Sequence, residues 1–215
     1  MIVRKDVVKL VKVMLEELSP FDEPAAMLAV PNNDVKPVES YIQSTLDKSF
    51  DDILLFMPLY VIQKTFTDYA SVSPSPTITL KDGVGYCPVP ADFLRLYAFT
   101  FSEWSRTVTT HITPENANAY ALQRNKYTRG KFEKPVVAIN NGKFEFYSLK
   151  AVPTAGTFTM KYIPKTEKNK VAFEKGLVDY LVLQNAIDVL NIFEQHDKAK
   201  ELSAELYNKI KAITL

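Results

Sequence analysis

The chain has 215 residues, 47% hydrophobic and 24% charged, with 26 Lys and Arg against 25 Asp and Glu. This composition argues against wholesale disorder, and the net charge of +1 gives no global reason to expect nucleic-acid binding. One cysteine excludes an internal disulfide framework and a cysteine-based zinc site, and two histidines and six glycines leave little for metal or phosphate-cradle chemistry.

The N-terminal part, residues 1–70, is predicted to be helical. Apolar residues recur at three-to-four spacing from Val3 to Leu18, which is typical of an amphipathic helix. Ser19 ends that helix, because a residue before proline is disfavoured in the helical region. Phe21 to Lys36 is expected to be irregular.

Two more helices are predicted before a linker. The first runs from Pro37 to Met57, with Ser49 as an alternative cap that would begin a separate helix. The second runs from Leu59 to Tyr69 after a proline break. Ser71 to Pro76 is the clearest punctuation in the chain and closes this helical part.

Residues 76–165 are predicted to form a β-rich subdomain. Thr77 to Leu80 is β-branched and leads to an Asp-Gly turn. Phe93 to Phe101 is apolar on both faces, which predicts a strand in the centre of a sheet. Arg106 to His111 is expected to return antiparallel to it.

The second half of this subdomain combines a short helix with a hairpin. Thr113 as cap predicts a helix from Pro114 to Asn125. Asn141-Gly142 lies in an alternating stretch from Val136 to Tyr147, and Asn-Gly supplies the positive φ angles of a two-residue hairpin turn. Thr157 to Ile163 alternates as a further strand.

Residues 170–215 are predicted to form a C-terminal helical hairpin. Phe173 to Phe193 is apolar nearly all round, so this helix should be buried on most sides. Asp197 can cap a final helix with a narrower apolar stripe. The expected fold class is α+β: residues 1–70 and 170–215 form one helical bundle, and the antiparallel β subdomain is inserted into it.

The reactive residues have no partners in the sequence. Cys87 lacks a predicted helix N-terminus that would lower its pKa, so we interpret it as a small buried residue rather than a nucleophile with His111. Gly83-Val84-Gly85 lacks the third glycine of a phosphate loop, and His196 is interpreted as a surface residue. We therefore expect no enzyme, no catalytic residue, no cofactor and no metal.

The net charge hides two segments of opposite sign. Pro20 to Tyr60 carries seven acids and two bases, net −5, and Glu103 to Lys134 carries six bases and three acids, net +3. Such segments can pair between neighbouring copies, or can simply be solvated faces. The basic loop, residues 124–134, could instead bind nucleic acid, because it interleaves bases with aromatics. The candidate interface residues are Arg124, Lys126, Tyr127, Arg129, Lys131, Lys134, Asp47, Asp51 and Asp52.

A motif in the middle of the chain suggests a family. Val89-Pro90-Ala91-Asp92-Phe93-Leu94-Arg95-Leu96, followed by Trp104-Ser105-Arg106, resembles the strand entry of head-to-tail adaptor (connector or ring) proteins of short-tailed and crAss-like bacteriophages. The order of elements is also similar to theirs: N-terminal helices, a β-rich insertion and a C-terminal helical hairpin.

The resemblance implies a non-enzymatic virion structural protein made in the host cytoplasm. It implies a homo-oligomeric ring, commonly of about twelve copies, beneath the portal protein. The ring would extend the DNA channel, pass DNA without sequence-specific binding and give other tail or ring proteins a platform. No membrane partner is expected, because the longest apolar run, Ile53 to Ile62, is too short to span a bilayer. The alternative is a protein- or nucleic-acid-binding module that uses the basic loop.

Overall fold

The computed structural model describes residues 1–18, 37–62, 77–147, 149 and 158–214, and the backbone of residues 67–68. The irregular stretch and the Ser-Pro linker of the sequence analysis lie outside these residues. The fold is a mixture of α-helices and antiparallel sheets, as predicted. The chain divides into two compact units, the first formed by Met1–Val61 with Thr166–Leu215 and the second by Ile62–Lys165.

The described residues form five α-helices and nine strands. A 3-10 turn at Lys175–Leu177 leads into the fourth helix. The helix α3 and the strands β2 to β8 belong to the second unit, and the other elements belong to the first. In chain order the elements are β1 (Ile2–Val3), α1 (Arg4–Glu17), α2 (Val38–Phe56), β2 (Thr67–Asp68), β3 (Thr79–Lys81), β4 (Val84–Pro88), β5 (Phe93–Phe101), α3 (Ala117–Arg124), β6 (Val137–Asn140), β7 (Lys143–Tyr147), β8 (Phe158–Pro164), β9 (Ala172–Phe173), α4 (Val178–Ile192) and α5 (His196–Ala212).

Helix α4 is the central helix of the first unit. It packs against α1, α2 and α5, and nine of its residues are buried, as its nearly continuous apolar surface predicts. One of the nine is polar: Asn185 donates through Nδ2 to Thr45 Oγ1 at 2.8 Å and to Ser49 Oγ at 3.0 Å. Ser49 therefore lies inside a continuous α2, and the alternative helix start at this residue is wrong.

One predicted helix is wrong, and another begins later than predicted. Leu59 to Val61 is a turn, and β2 pairs antiparallel with Tyr162 and Lys161 of β8. The fourth helix begins at Val178 and not at Phe173, because β9 pairs with β1. Both pairings join segments that are far apart in the sequence, so no local sequence pattern predicts them.

Two predicted helix caps are also wrong. Helix α3 begins at Ala117 with Asn116 as its cap residue, and Asn116 Oδ1 accepts a hydrogen bond from the Thr113 backbone N–H at 3.0 Å. Helix α5 has Gln195 as its cap residue, and Asp197 lies in its first turn. An acid in a first turn still interacts favourably with the helix dipole.

The second unit contains two antiparallel sheets. Their strand orders are β2-β8-β5 and β3-β4-β7-β6. The central strand of the first sheet is β8, so the central position predicted for β5 is wrong: its other edge makes one antiparallel bridge, from Phe99 to Val108. The predicted antiparallel return of Arg106 to His111 is therefore confirmed only at Val108, which forms this bridge.

Both predicted turns of the second sheet are present. Asp82 and Gly83 have φ angles of 54° and 72°, and Asn141 and Gly142 have φ angles of 47° and 68°. Positive φ at both central residues is the geometry of the hairpin turn that Asp-Gly and Asn-Gly favour. The two turns lie at opposite ends of β4, because β4 pairs antiparallel with β7.

An aromatic core joins the two sheets of the second unit. Phe99 of β5 stacks on Phe146 of β7 with ring centroids 4.3 Å apart, and Phe93 meets Phe144 edge to face at 5.2 Å. Trp104 is buried against Phe101 at 4.8 Å. These rings stabilise both sheets by apolar burial and by ring contacts.

Candidate functional site

The basic loop follows α3 directly, and hydrogen bonds fix its conformation. The backbone N–H of Gly130 donates to Oε1 of the buried Gln123 at 2.8 Å, and Thr128 Oγ1 donates to the carbonyl oxygen of Leu122 at 2.8 Å. Lys131 and Lys134 exchange backbone hydrogen bonds of 3.2 and 3.0 Å, which close a tight turn. These bonds hold the loop in one shape against the end of its own helix.

Gly130 and Phe132 hold the loop close to the rest of the second unit. A Cβ at Gly130 would lie 3.0 Å from the Lys134 carbonyl oxygen and 3.0 Å from Val136 Cγ2, so the close approach requires glycine. Phe132 packs against the aromatic core, and its carbonyl oxygen accepts a hydrogen bond from the Ser105 backbone N–H at 3.0 Å.

Arg129 serves as an anchor of the loop. Its Nη1 donates to the Asp82 carbonyl oxygen at 3.1 Å, in the turn between β3 and β4. Its guanidinium lies so close to Gly83 that a Cβ there would come within 2.8 Å of Nη2. The sequence groups Arg129 with the interface residues, but these contacts give it a structural role within its own unit.

The remaining bases of the loop are exposed. Within the part of the chain that the structure describes, none of them forms an ion pair with a carboxylate. Tyr127 is 76% exposed, and Lys126 Nζ lies 5.0 Å from the centroid of its ring. We call this set the basic surface; it consists of Arg124, Lys126, Tyr127, Lys131 and Lys134.

The predicted acidic partners are occupied within the first unit. Asp47 pairs with Arg4 at 2.5 Å and also accepts the Asn169 backbone N–H at 2.8 Å. Asp51 accepts the Thr166 backbone N–H at 2.7 Å. These bonds tie the chain before α4 to α2, so we leave both residues out of the proposed interface.

Asp52 belongs to a charged cluster on α2 and α4. It pairs with Lys48 at 3.2 Å, and Lys48 also lies 3.9 Å from Asp188. The hydrogen bond that Lys48 donates to Asp52, together with the charge of Asp188, raises the pKa of Lys48. Asp52 is therefore internally paired, like the other two acids named from the sequence.

A buried polar network lies beneath α3, and it is not predicted from the sequence. Glu145 of β7 is 8% exposed and accepts hydrogen bonds from Tyr147 at 2.5 Å, Tyr120 at 3.0 Å and Asn140 Nδ2 at 3.2 Å. Burial and the nearby Glu145 carboxylate raise the pKa of both tyrosines. Through Tyr120 the network attaches α3, and with it the start of the basic loop, to the second sheet.

The alternation of β7 hides this network. Glu145 lies between Phe144 and Phe146, so the pattern of the strand assigns it to a polar, solvent-facing side. Helix α3, which covers this side, lies about twenty residues earlier in the sequence, and Tyr120 is the residue by which it contacts the network. A second phenol two residues after the glutamate, Tyr147, is the only local signal.

The cysteine and the two histidines are not part of the basic surface. Cys87 is buried, which confirms its interpretation as a core residue. His111 is half-buried beside the Phe93 ring, and burial lowers its pKa. His196 is exposed at the start of α5, as predicted. Among the described residues, no group of three His, Cys, Asp or Glu is arranged to hold a metal, and no helix has the length and apolarity to cross a membrane.

The division into two units shows where the charges of the chain reside. The second unit contains 13 Lys and Arg and seven Asp and Glu, net +6, and the first contains 13 and 18, net −5. The two units therefore carry net charges of opposite sign, although the whole chain is nearly neutral. The basic surface contributes four of the positive charges of the second unit.

No model of a known protein family matches this chain, and neither does any curated protein.

Proposed function

We propose that the chain is a head-to-tail adaptor of a tailed bacteriophage, a non-enzymatic structural protein of the virion. Copies assemble as a ring beneath the portal protein, extend the DNA channel and form the platform for tail attachment. The observation that carries this proposal is the basic surface, a set of exposed cations on a hydrogen-bonded loop that form no ion pair within the described residues. Unpaired surface charges on a fixed scaffold favour a role in recognition.

The proposed architecture is a terminal helical bundle with an inserted β subdomain. In support, the second unit lies between the two segments of the first in the sequence. Helices α1 and α2 pack with α4, so elements from both ends of the chain share one core. An insertion of this kind leaves the inserted subdomain free to carry an interaction surface while the bundle provides the scaffold.

The adaptor-like motif has a definite structural role in the second unit. Asp92 accepts hydrogen bonds from Tyr162 at 2.9 and 3.2 Å, and its carbonyl oxygen accepts the Lys165 backbone N–H at 2.6 Å. The Phe93 backbone N–H donates to the Pro90 carbonyl oxygen at 3.0 Å, which closes the turn into β5. These contacts support the interpretation of the motif as a strand entry.

A nucleic-acid-binding module is the second candidate function. The observation in its favour is the exposed Tyr127 ring beside Lys126, because an exposed aromatic among cations can stack a base while the cations bind phosphates. Such binding weakens steeply as salt increases, and it requires no second copy of the chain.

Negative-stain imaging of the full chain, alone and with a candidate portal protein, tests the proposal. We expect rings of uniform diameter, either free or stacked on the portal. A chain that stays monomeric in both samples would contradict the adaptor function. Binding of a fluorescent single-stranded oligonucleotide by the same monomer would instead support the nucleic-acid module.

A further inference from the structure

The two glycine turns of the second sheet share one geometry but differ in their surroundings. Both have positive φ angles at their two central residues. At the first turn, Arg129 Nη1 donates to the Asp82 carbonyl oxygen at 3.1 Å, and a Cβ at Gly83 would come within 2.8 Å of Nη2. At the second turn, Asn141 and Gly142 are exposed, and a Cβ at Gly142 would have no atom within 4 Å. A guanidinium therefore covers one turn, and the other is open to solvent.

The open turn combines a side-chain amide with an accessible backbone nitrogen. Asn141 is the one asparagine of the chain that precedes a glycine. Within the described residues, neither the Asn141 side chain nor the Gly142 backbone N–H takes part in a hydrogen bond. Because glycine has no Cβ, no side chain shields its nitrogen from the residue before it. The amide carbon of Asn141 and the Gly142 nitrogen can therefore react with each other.

We propose that Asn141 is a site of spontaneous modification, at which water converts the asparagine to aspartate and isoaspartate. The Gly142 nitrogen loses its proton and attacks Asn141 Cγ, the new C–N bond closes a succinimide ring, and the side-chain nitrogen leaves as ammonia. Ring closure is favoured because both reacting groups belong to the same chain. A water molecule then opens the ring. Cleavage of the original peptide bond gives isoaspartate, and cleavage of the new bond gives aspartate, without any oxidation or reduction.

The attack requires the turn to open transiently. In a turn with positive φ at both central residues, the Gly142 nitrogen points away from the Asn141 side chain, so ψ of Asn141 must rotate before the ring closes. Exposed turns open more readily than the core of a sheet. The Val89 backbone N–H restrains this turn by donating to the Gly142 carbonyl oxygen at 3.0 Å. The other turn is restrained at Asp82 itself, by the Arg129 side chain.

The isoaspartyl form disturbs the buried polar network of the second unit. Isoaspartate inserts one additional carbon into the backbone of a two-residue turn, and the length of that turn fixes the register of β6 against β7. Asn140 lies directly before the turn and donates to Glu145 Oε1 at 3.2 Å and to the Tyr120 hydroxyl at 2.8 Å. We therefore expect the isoaspartyl form to unfold at a lower urea concentration than the unchanged protein. Aspartate keeps the backbone length and should change the midpoint less.

Incubation of the folded full chain at mildly alkaline pH tests the proposal, with peptide mass spectrometry and enzymatic methylation of isoaspartate as readouts. Fragment spectra should show the mass change from amide to acid at Asn141 several times faster than at any other asparagine. Asn141→Gln is the matched control, because its amide carbon lies one methylene further from the Gly142 nitrogen and would have to close a larger ring. This variant should accumulate several times less isoaspartate, and circular dichroism shows whether it folds.

The same incubation in guanidinium chloride separates the reactivity of the Asn-Gly pair from the access that the fold allows. A folded chain that stays unmodified at Asn141, while the unfolded chain is modified, would overturn the proposal, because the hairpin would then protect the turn. Faster modification of another asparagine in the folded chain, or equal isoaspartate in Asn141→Gln, would overturn it as well. The modification requires no second copy and no portal, so it stands or falls independently of the adaptor function.

Discussion

The Tyr120 phenol links α3 to the buried polar network of the second sheet, and its removal gives a quantitative prediction. The Tyr120 hydroxyl donates to Glu145 Oε2 at 3.0 Å and accepts from Asn140 Nδ2 at 2.8 Å. Tyr120→Phe deletes both bonds and keeps the ring. Since Glu145 is buried, its carboxylate cannot replace the lost donor with bulk water.

A hydrogen bond to a charged group contributes about 1.5–3 kcal/mol to stability. Glu145 keeps Tyr147 and Asn140 as donors, so we expect Tyr120→Phe to lower the free energy of unfolding of the second unit by about that amount and no more. With a urea m value of about 1–3 kcal/mol/M, the unfolding midpoint should fall by about 1 M.

Urea unfolding followed by tryptophan fluorescence measures this loss. Trp104 is the single tryptophan of the chain and is buried in the second unit, so its emission reports on that unit. Tyr127→Phe is the matched control, because the Tyr127 side chain is 76% exposed and its change should stay within about 0.5 kcal/mol. Equal midpoints for the two variants would refute the role of Tyr120 in holding α3.

Three further predictions concern the loop, a histidine and the first unit. Gly130→Ala should destabilise the second unit by about 1–3 kcal/mol in the same assay, because its Cβ would lie 3.0 Å from the Lys134 carbonyl oxygen, and an unchanged midpoint would contradict the requirement for glycine there. Burial lowers the pKa of His111, so the second unit should lose stability as the pH falls below about 6.5, and His111→Phe should reduce that loss in urea titrations at several pH values. Asp47→Ala leaves the Arg4 guanidinium without its carboxylate, and it should lower the thermal midpoint of helical circular dichroism more than Glu201→Ala does.

The sequence predicts those parts of the fold whose causes are local. The Asn141-Gly142 and Asp82-Gly83 turns follow from two residues each, because positive φ is built into their chemistry. The burial of α4 follows from its apolar surface, and the amphipathic α1 follows from its spacing.

The errors arise where distant segments meet. The strand β2 exists because it pairs with β8, and the late start of α4 follows from the pairing of β9 with β1. Local propensity cannot report either pairing, since each partner lies far away in the chain. The local pattern of these residues predicts helix, and tertiary contacts override it.

The candidate site also combines features that have local causes with features that depend on distant contacts. Exposure of Lys126, Lys131 and Lys134 could be predicted from composition, because charged loop residues are rarely buried. The anchoring role of Arg129 could not, because its acceptor is a carbonyl oxygen in another turn. The acids Asp47 and Asp51 look like surface charges in the sequence, yet backbone N–H groups far along the chain hold them.

The mass of the assembled particle tests the adaptor account most directly. Native mass spectrometry or mass photometry of the full chain with a candidate portal should show one dominant species whose added mass is a fixed integer multiple of 24.4 kDa. The same multiple should appear across protein concentrations, because a closed ring has a defined copy number. A single 24.4 kDa species at every concentration, with and without the portal, would contradict the account.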